Sequence, residues 1–323
     1  MGTELKLIRG TTVTTELSLE RYDSKLADSF IQKSLSPETR AAYARAVREF
    51  FAFTGGLHPS RVASVDVIAY RDDLIRRNRK PATVATRLAI IRSFFSYLHT
   101  GGHIPVNPAA TKLVTPPSLP ETQAGRALTK REARHLLAGP NRETADGARD
   151  YALMLVMLRL SLRLAEVVSL RRSSIAWNGR WTLRCKVKGG REETWPLPQD
   201  VKAAIDDYLR LDAARRGMQN SNGEDAYLFQ PHTNYRTLVF DKALSRRHVE
   251  RIVSRWGDYA GVGRVTPHDL RRTLVTQLLS EGYSYRDVQM VTKHRDPKTV
   301  MRYDRARENL DQNPVNEFSY DEE

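Results

Sequence analysis

The apolar periodicity of the chain breaks sharply at residues 111–127, TKLVTPPSLPETQAGRA, where prolines, polar residues and a glycine take its place. Such a stretch can neither continue a helix nor sit inside a sheet. It reads as a linker, so any hydrophobic core must form on one side of it or the other. The 323 residues are 40% hydrophobic, enough for two ordinary domains with separate cores.

On the N-terminal side the pattern is helical throughout. Residues 36–53 open with Ser36 as cap and Pro37 in the first turn, then place Tyr43, Val47, Phe50 and Phe51 on one face. A second helix, from about Asp66, turns Val67, Tyr70 and Leu74 inward and ends in the basic run RRNRK. A third, from Pro81, spaces Val84, Leu88, Ile91, Phe95 and Leu98 by fours and threes until Gly101 and Gly102 stop it. The expectation is an all-helical domain over 25–110, preceded by an N-terminal extension, 1–24.

Beyond the break a larger domain is expected over 128–311. Thr129 and Glu132 make a capping box, and the near-continuous apolar segment YALMLVMLRLSL reads as a helix buried on most sides. Residues 181–188, WTLRCKVK, alternate strictly. Trp181, Leu183, Cys185 and Val187 share one face, with Thr182, Arg184, Lys186 and Lys188 on the other, a half-buried strand turning at Gly189-Gly190 into EETWPLP. Further helices are predicted over 200–216, 245–256, 267–281 and 284–292. The fold class is therefore mainly α with a small antiparallel β-sheet: a helical domain, then an α+β domain. An acidic tail, 312–323, closes the chain.

A formal charge of +14 points to a polyanionic partner, most simply nucleic acid. The one cysteine, Cys185, excludes an internal disulfide or a cysteine-cluster zinc site, and its place on the inward strand face suits a buried residue rather than a reactive thiol. There is no apolar run of membrane-spanning length and no signal-peptide pattern, so a cytoplasmic protein without membrane partners is expected. No GxxxxGK[ST] or strand-linked GxGxxG appears, so energy for any chemistry must come from the substrate itself.

The stretch TPHDLRRTLVTQLL, 266–279, concentrates cations at a helix start. Thr266 caps, Pro267 occupies the first turn and Asp269 completes a capping box, while Leu270, Leu274 and Leu278 predict one buried stripe. His268 and Arg271, at i and i+3, then share a neighbouring face and form a cradle for an oxyanion. Arg271 as a solvated helix charge is the plainer alternative. Further features follow the same chain order: Arg163 with Glu166 three residues on, Lys188 at the hairpin, and His294 with Tyr303 nine residues beyond it.

This ordered set resembles the tyrosine recombinases of the phage integrase family, whose catalytic domain carries R-x-x-E, a hairpin lysine, H-x-x-R, a second histidine and a tyrosine nine residues later. The likeness spans roughly 25–310, because the helical domain with its Asn107-Pro108 resembles the family's core-binding domain. Two departures stand out: Ser161 where glycine is usual before the Leu-Arg of the first motif, and TKH from Thr292 where LGH is usual. Both leave the functional side chains in place and touch only local backbone geometry.

The chemistry asks for the same residue types. Cutting a phosphodiester without metal requires stabilising a pentavalent phosphorane, whose non-bridging oxygens Arg163 and Arg271 can grip, with His268 and His294 as further donors. Tyr303 is the nucleophile by register, and His268 can take its proton. Lys188 is the general acid for the leaving 5′-hydroxyl, with Lys186 on the same strand face as the alternative. Glu166 orients its neighbours. Among the other tyrosines, Tyr320 lies in the acidic tail, and Tyr283 and Tyr285 precede the second histidine. Alone, Arg163 would read as a salt-bridge partner of Glu166.

The resemblance implies a site-specific recombinase with no cofactor. It would act on double-stranded DNA as four protomers on two core sites through a 3′-phosphotyrosyl link and a Holliday junction, with room for an accessory DNA-binding protein. Arg76, Arg77, Arg79 and Lys80 are the candidate DNA contacts of the helical domain. The short extension favours a core-site enzyme for a mobile element or for dimer resolution over one with an extra arm-binding domain. In related recombinases the segment after the tyrosine docks on the next subunit, the role the resemblance gives the acidic tail with Val315 and Phe318. A type IB topoisomerase-like relaxing enzyme and a catalytically silent DNA-binding protein are the alternatives.

Overall fold

The computed structural model describes residues 24–119, 125–187, 189–216, 225–231, 242–293, 296–301 and 303–304. Lys188, His294, most of the N-terminal extension and the acidic tail with Tyr320 lie outside the described residues. The chain divides into two compact units, residues 1–120 and 121–323. Among the described residues no helix is long and apolar enough to cross a membrane.

The first unit packs α1 (Ser24–Gln32), α2 (Pro37–Phe53), α3 (Ser64–Arg76) and α4 (Pro81–Thr100) around an aromatic core. Helix α2 begins where the sequence predicts: the Ser36 hydroxyl accepts from the Thr39 amide, and Pro37 fills a position whose N–H would have no partner. Phe50 meets Phe51, Tyr70 and Phe95 edge-on, with ring centroids 5.2, 5.2 and 5.8 Å apart. Helix α1, which the sequence pattern did not single out, adds the fully buried Phe30.

The basic run is the turn between α3 and α4. Asn78 takes the left-handed conformation (φ 53°), and the Arg79 amide donates back to the Leu74 carbonyl at 3.1 Å, closing the end of α3. The stretch read as linker is tied down at its start. Val114 is buried in the helical core, and Arg92 donates to the Ala109 and Val114 carbonyls at 2.8 and 3.3 Å. The last helix before this stretch, α4, ends at Thr100, and the first residues of the stretch still pack into the core.

In the second unit α5 (Lys130–Ala138) precedes α6 (Ala145–Leu160), the helix buried on most sides, whose Ala152, Leu153, Met154, Val156 and Met157 have no exposed surface. Then come α7 (Leu164–Ser169), β1 (Ile175–Trp177), β2 (Trp181–Lys186) and β3 (Glu192–Pro196), with α8 (Gln199–Arg216) following. The three strands form an antiparallel sheet in chain order, Leu183 pairing with Ile175 on one side and Trp195 on the other. Leu183, Cys185 and Val187 are buried while Arg184 and Lys186 are exposed, the alternation the sequence predicts. Burial and the nearby Glu166 and Glu193 carboxylates push the Cys185 thiol up to about 12, so it is inert at neutral pH.

The remaining described helices are α9 (Arg246–Tyr259), α10 (Pro267–Ser280), α11 (Tyr285–Thr292) and α12 (Pro297–Met301). On α10 the expected stripe is only partly right. Leu270 is fully buried, but Leu274 and Leu278 are half-buried, and the most enclosed positions also include Arg271, Arg272, Thr273 and Val275. The helix is covered on more than one side, and part of that cover is polar backbone.

Candidate active site

Arg163 is the N-cap of α7. Its backbone amide donates to Glu166 Oε2 at 2.7 Å, and its guanidinium Nη1 donates to Glu166 Oε1 at 3.0 Å. The salt bridge weighed against a site role is therefore present, and it does not exclude that role. The pair uses only Nη1, and the Arg163 side chain stays 36% exposed while Glu166 is 4% exposed. A buried carboxylate holding one edge of a guanidinium orients the other edge outward.

Arg271 is not a solvated charge. It is 2% exposed, and its guanidinium donates through Nη1 to the Ser161 carbonyl and through Nη2 to the Thr292 carbonyl at 2.9 Å. One side chain thus joins the segment leading into Arg163 to the segment leading into His294. Desolvation and the positive Arg163 lower its pKa to about 10, with Glu166 and Tyr303 acting the other way, so it remains a cation at neutral pH. Arg163, Glu166 and Tyr303 thus each lie within electrostatic reach of Arg271.

His268 opens α10 behind the capping box, in which Asp269 accepts from the Thr266 amide at 2.9 Å and hydroxyl at 2.7 Å. Unlike Arg271 it is exposed. Partial desolvation, then Arg271 and Arg272, hold its imidazole below the ordinary value, with Arg163 adding to the effect and Asp269 opposing it. A neutral imidazole beside two guanidiniums can accept a proton.

Tyr303 follows α12 and is 4% exposed, packed with Val275, Val288 and Val300. The Arg272 guanidinium carbon stands 5.1 Å from its ring centroid. Arg272 is itself 4% exposed, and it is the cation of this region to which the sequence reading gave no role. The adjacent arginines of LRRT were the available signal.

Ser161 and Lys293, the two departures from the family pattern, both hold left-handed backbone conformations, φ 52° and 53°, at the C-terminal ends of α6 and α11. Glycine is favoured in that conformation because it has no Cβ to clash with the following carbonyl. Near them the hairpin is fastened: Trp195 Nε1 donates to the Val291 carbonyl at 2.7 Å, and Lys293 Nζ lies 3.8 Å from Glu193 Oε2. Among the described residues, no cluster of three or more His, Cys, Asp or Glu side chains could share a cation.

In the first unit, Arg76 and Arg77 converge on Asp73, with N–O distances of 3.2 and 2.8 Å. Both arginines stay largely exposed, as do Arg79 and Lys80, so the turn keeps a positive surface that Asp73 only partly offsets.

A mostly helical unit with a three-stranded sheet among the described residues, arginines at two helix starts and a buried tyrosine within electrostatic reach of one of them make up the architecture of a tyrosine recombinase. Residues 126–309 match the phage integrase family, and residues 24–100 match the N-terminal SAM-like domain of phage integrases. The tyrosine recombinase XerC of Thermodesulfovibrio yellowstonii is 28% identical over 276 residues, covering 84% of this chain and 87% of its own. The protein y4rA of Sinorhizobium fredii is 31% identical over 301 residues, covering 89% and 67%. Among solved structures, a XerH site-specific recombinase bound to palindromic difH substrate superposes with a TM-score of 0.64 at 17% identity, covering 91% of this chain and 90% of that one. A lambda integrase dimer bound to a COC′ core site gives 0.64 at 16%, covering 88% and 97%. The chain belongs to the phage integrase family and is a site-specific tyrosine recombinase.

Proposed function

We propose that this recombinase cuts and rejoins double-stranded DNA at a core site through a 3′-phosphotyrosyl link to Tyr303, with strand exchange through a Holliday junction between four protomers, in the service of a mobile element or of dimer resolution. The observation that carries the reading is Arg271. A buried guanidinium bonded to the carbonyls of Ser161 and Thr292 ties the end of α6 to the end of α11, and Tyr303 acts on it electrostatically.

In this reading Arg163 and Arg271 bind the non-bridging oxygens of the scissile phosphate, and the charge that grows on them in the transition state strengthens both contacts. The Tyr303 oxygen bonds to phosphorus as the bond to the 5′-oxygen breaks. His268, neutral at physiological pH, takes the phenolic proton, and Lys188 supplies a proton to the leaving oxygen, with Lys186 as the alternative donor. His294 adds a donor to the phosphate, and Glu166 holds Arg163. Bond energy is kept in the phosphotyrosyl link, so rejoining needs no nucleotide. Arg76, Arg77, Arg79 and Lys80 bind DNA phosphates, partial neutralisation by Asp73 notwithstanding. Relatives in their DNA-bound forms support the DNA partner.

The test is a duplex nicked close to the cleavage point, so that the short 5′-hydroxyl strand diffuses away and cleavage is trapped. The expected result is a covalent protein–DNA band. With two intact sites, joined recombinant strands are expected. Covalent trapping accompanied only by supercoil relaxation would indicate a topoisomerase-like enzyme, and binding without trapping a silent DNA-binding protein.

A further inference from the structure

We propose that Arg272 is a positioning residue for the nucleophile: its buried guanidinium seats the Tyr303 ring and favours the negative charge that develops on it during attack. The proposal rests on the reading of Tyr303 as nucleophile and adds a residue that the motif pattern leaves unassigned.

Three observations converge on it. The guanidinium carbon lies 5.1 Å from the ring centroid, within cation–π range. Arg272 and Tyr303 are each only 4% exposed, so water screens the contact little. The backbone of Gly125, at φ 149°, also packs close to the guanidinium: an added Cβ there would stand 2.6 Å from Arg272 Nη1. The cation is therefore crowded by main chain as well as by the ring.

The physical argument concerns what changes during the reaction. In the ground state what the guanidinium meets at Tyr303 is the ring quadrupole. As the oxygen–phosphorus bond forms, the phenolic proton passes to a base and the bond to the 5′-oxygen breaks, leaving that oxygen to be protonated. Along this path the phenol gains anionic character that spreads into the ring, and the attraction grows from charge–quadrupole to charge–charge. An interaction stronger in the transition state than before it accelerates the step. Tyr303 is also felt electrostatically by Arg271, so the contact with Arg272 is made within the site.

The experiment compares single-turnover cleavage of the nicked duplex by the full chain and by Arg272→Met, Arg272→Lys and Gly125→Ala, each at saturating enzyme. DNA affinity should stay within about twofold, while Arg272→Met cleaves roughly 10- to 100-fold more slowly and Arg272→Lys falls between, since an ammonium retains part of the attraction. Gly125→Ala, which displaces the guanidinium without removing its charge, should also slow cleavage, and it carries the test with Arg272→Lys if Arg272→Met does not fold. A structural role is separated by replacing Tyr303 with 3-fluorotyrosine, a more acidic phenol. It should recover much of the rate lost in the most impaired variant that folds, whereas a 5′-thiol leaving group should not. Cleavage at or above the parent rate in that variant would show that the contact parks the ring or does nothing, and a defect untouched by fluorotyrosine would make Arg272 a packing residue. Either overturns the proposal. Cleavage by Tyr303→Phe would instead overturn the assignment of the nucleophile.

Discussion

Ser161 and Lys293 show how single residues carry strain next to the site. Each is a non-glycine residue at φ near +50°, and each lies beside a carbonyl or a loop that Arg271 anchors. A left-handed conformation costs an L-residue on the order of 1–2 kcal/mol, partly offset by the smaller backbone entropy it loses on folding compared with glycine. Ser161→Gly is therefore expected to stabilise the protein by about 0.5–1 kcal/mol in urea denaturation, with the site geometry kept. The imidazoles give a second residue-scale expectation. His268 and His248 are both held below the ordinary value by desolvation and neighbouring arginines. A histidine with a lowered folded pKa contributes no penalty while both states are neutral. As pH falls through the unfolded value of about 6.5, the unfolded chain binds the proton first, and stability drops until the folded pKa is passed. Chemical denaturation from pH 7.5 to 5 should show that loss, and His268→Gln should reduce its slope; an unchanged slope would contradict the assignment for His268.

At the scale of elements, what was legible depended on sequence distance. The capping boxes at Thr129 and Thr266, the β2 alternation and the core face of α4 use partners a few residues apart, so spacing alone exposes them. The pairing of Arg76 and Arg77 with Asp73 is equally open to spacing, at i+3 and i+4. The ties that assemble the site were hidden because they span the chain. Arg271 reaches Ser161 across 110 positions and Trp195 reaches Val291 across 96, and no periodicity encodes such pairs. For the same reason the α10 stripe was misjudged at Leu274 and Leu278, since the cover over Arg271 comes from distant carbonyls. Trp195→Phe keeps an aromatic ring but removes part of the indole's volume and the donor to Val291, leaving a carbonyl unpaired. The expected cost is about 1–2 kcal/mol, with faster amide exchange in β2 and β3 and slower cleavage. Unchanged exchange in those strands would show that the bond does not hold the hairpin.

For the whole molecule, the charge of +14 is readable from composition, and the break after the helical pattern leads to the expectation of two cores; the chain divides into compact units at residues 1–120 and 121–323. If several phosphates are neutralised by arginines and lysines of the two units, DNA binding releases condensed counterions, and log affinity should fall linearly with log salt, by about 0.9 for each phosphate contact. Replacing Arg79 and Lys80 by alanine should reduce that slope by up to about 2, and a slope near zero in the full protein would contradict the reading of these residues as phosphate contacts. The central claim, however, is that one of thirteen tyrosines forms the bond to DNA. It is tested most directly by trapping the covalent complex on a nicked duplex, digesting the protein and locating the nucleotide-bearing peptide by mass spectrometry. The account expects the adduct on Tyr303, through a 3′-phosphate, and none in the Tyr303→Phe protein; an adduct on Tyr283, Tyr285 or Tyr320, or a 5′-phosphate linkage, would contradict it.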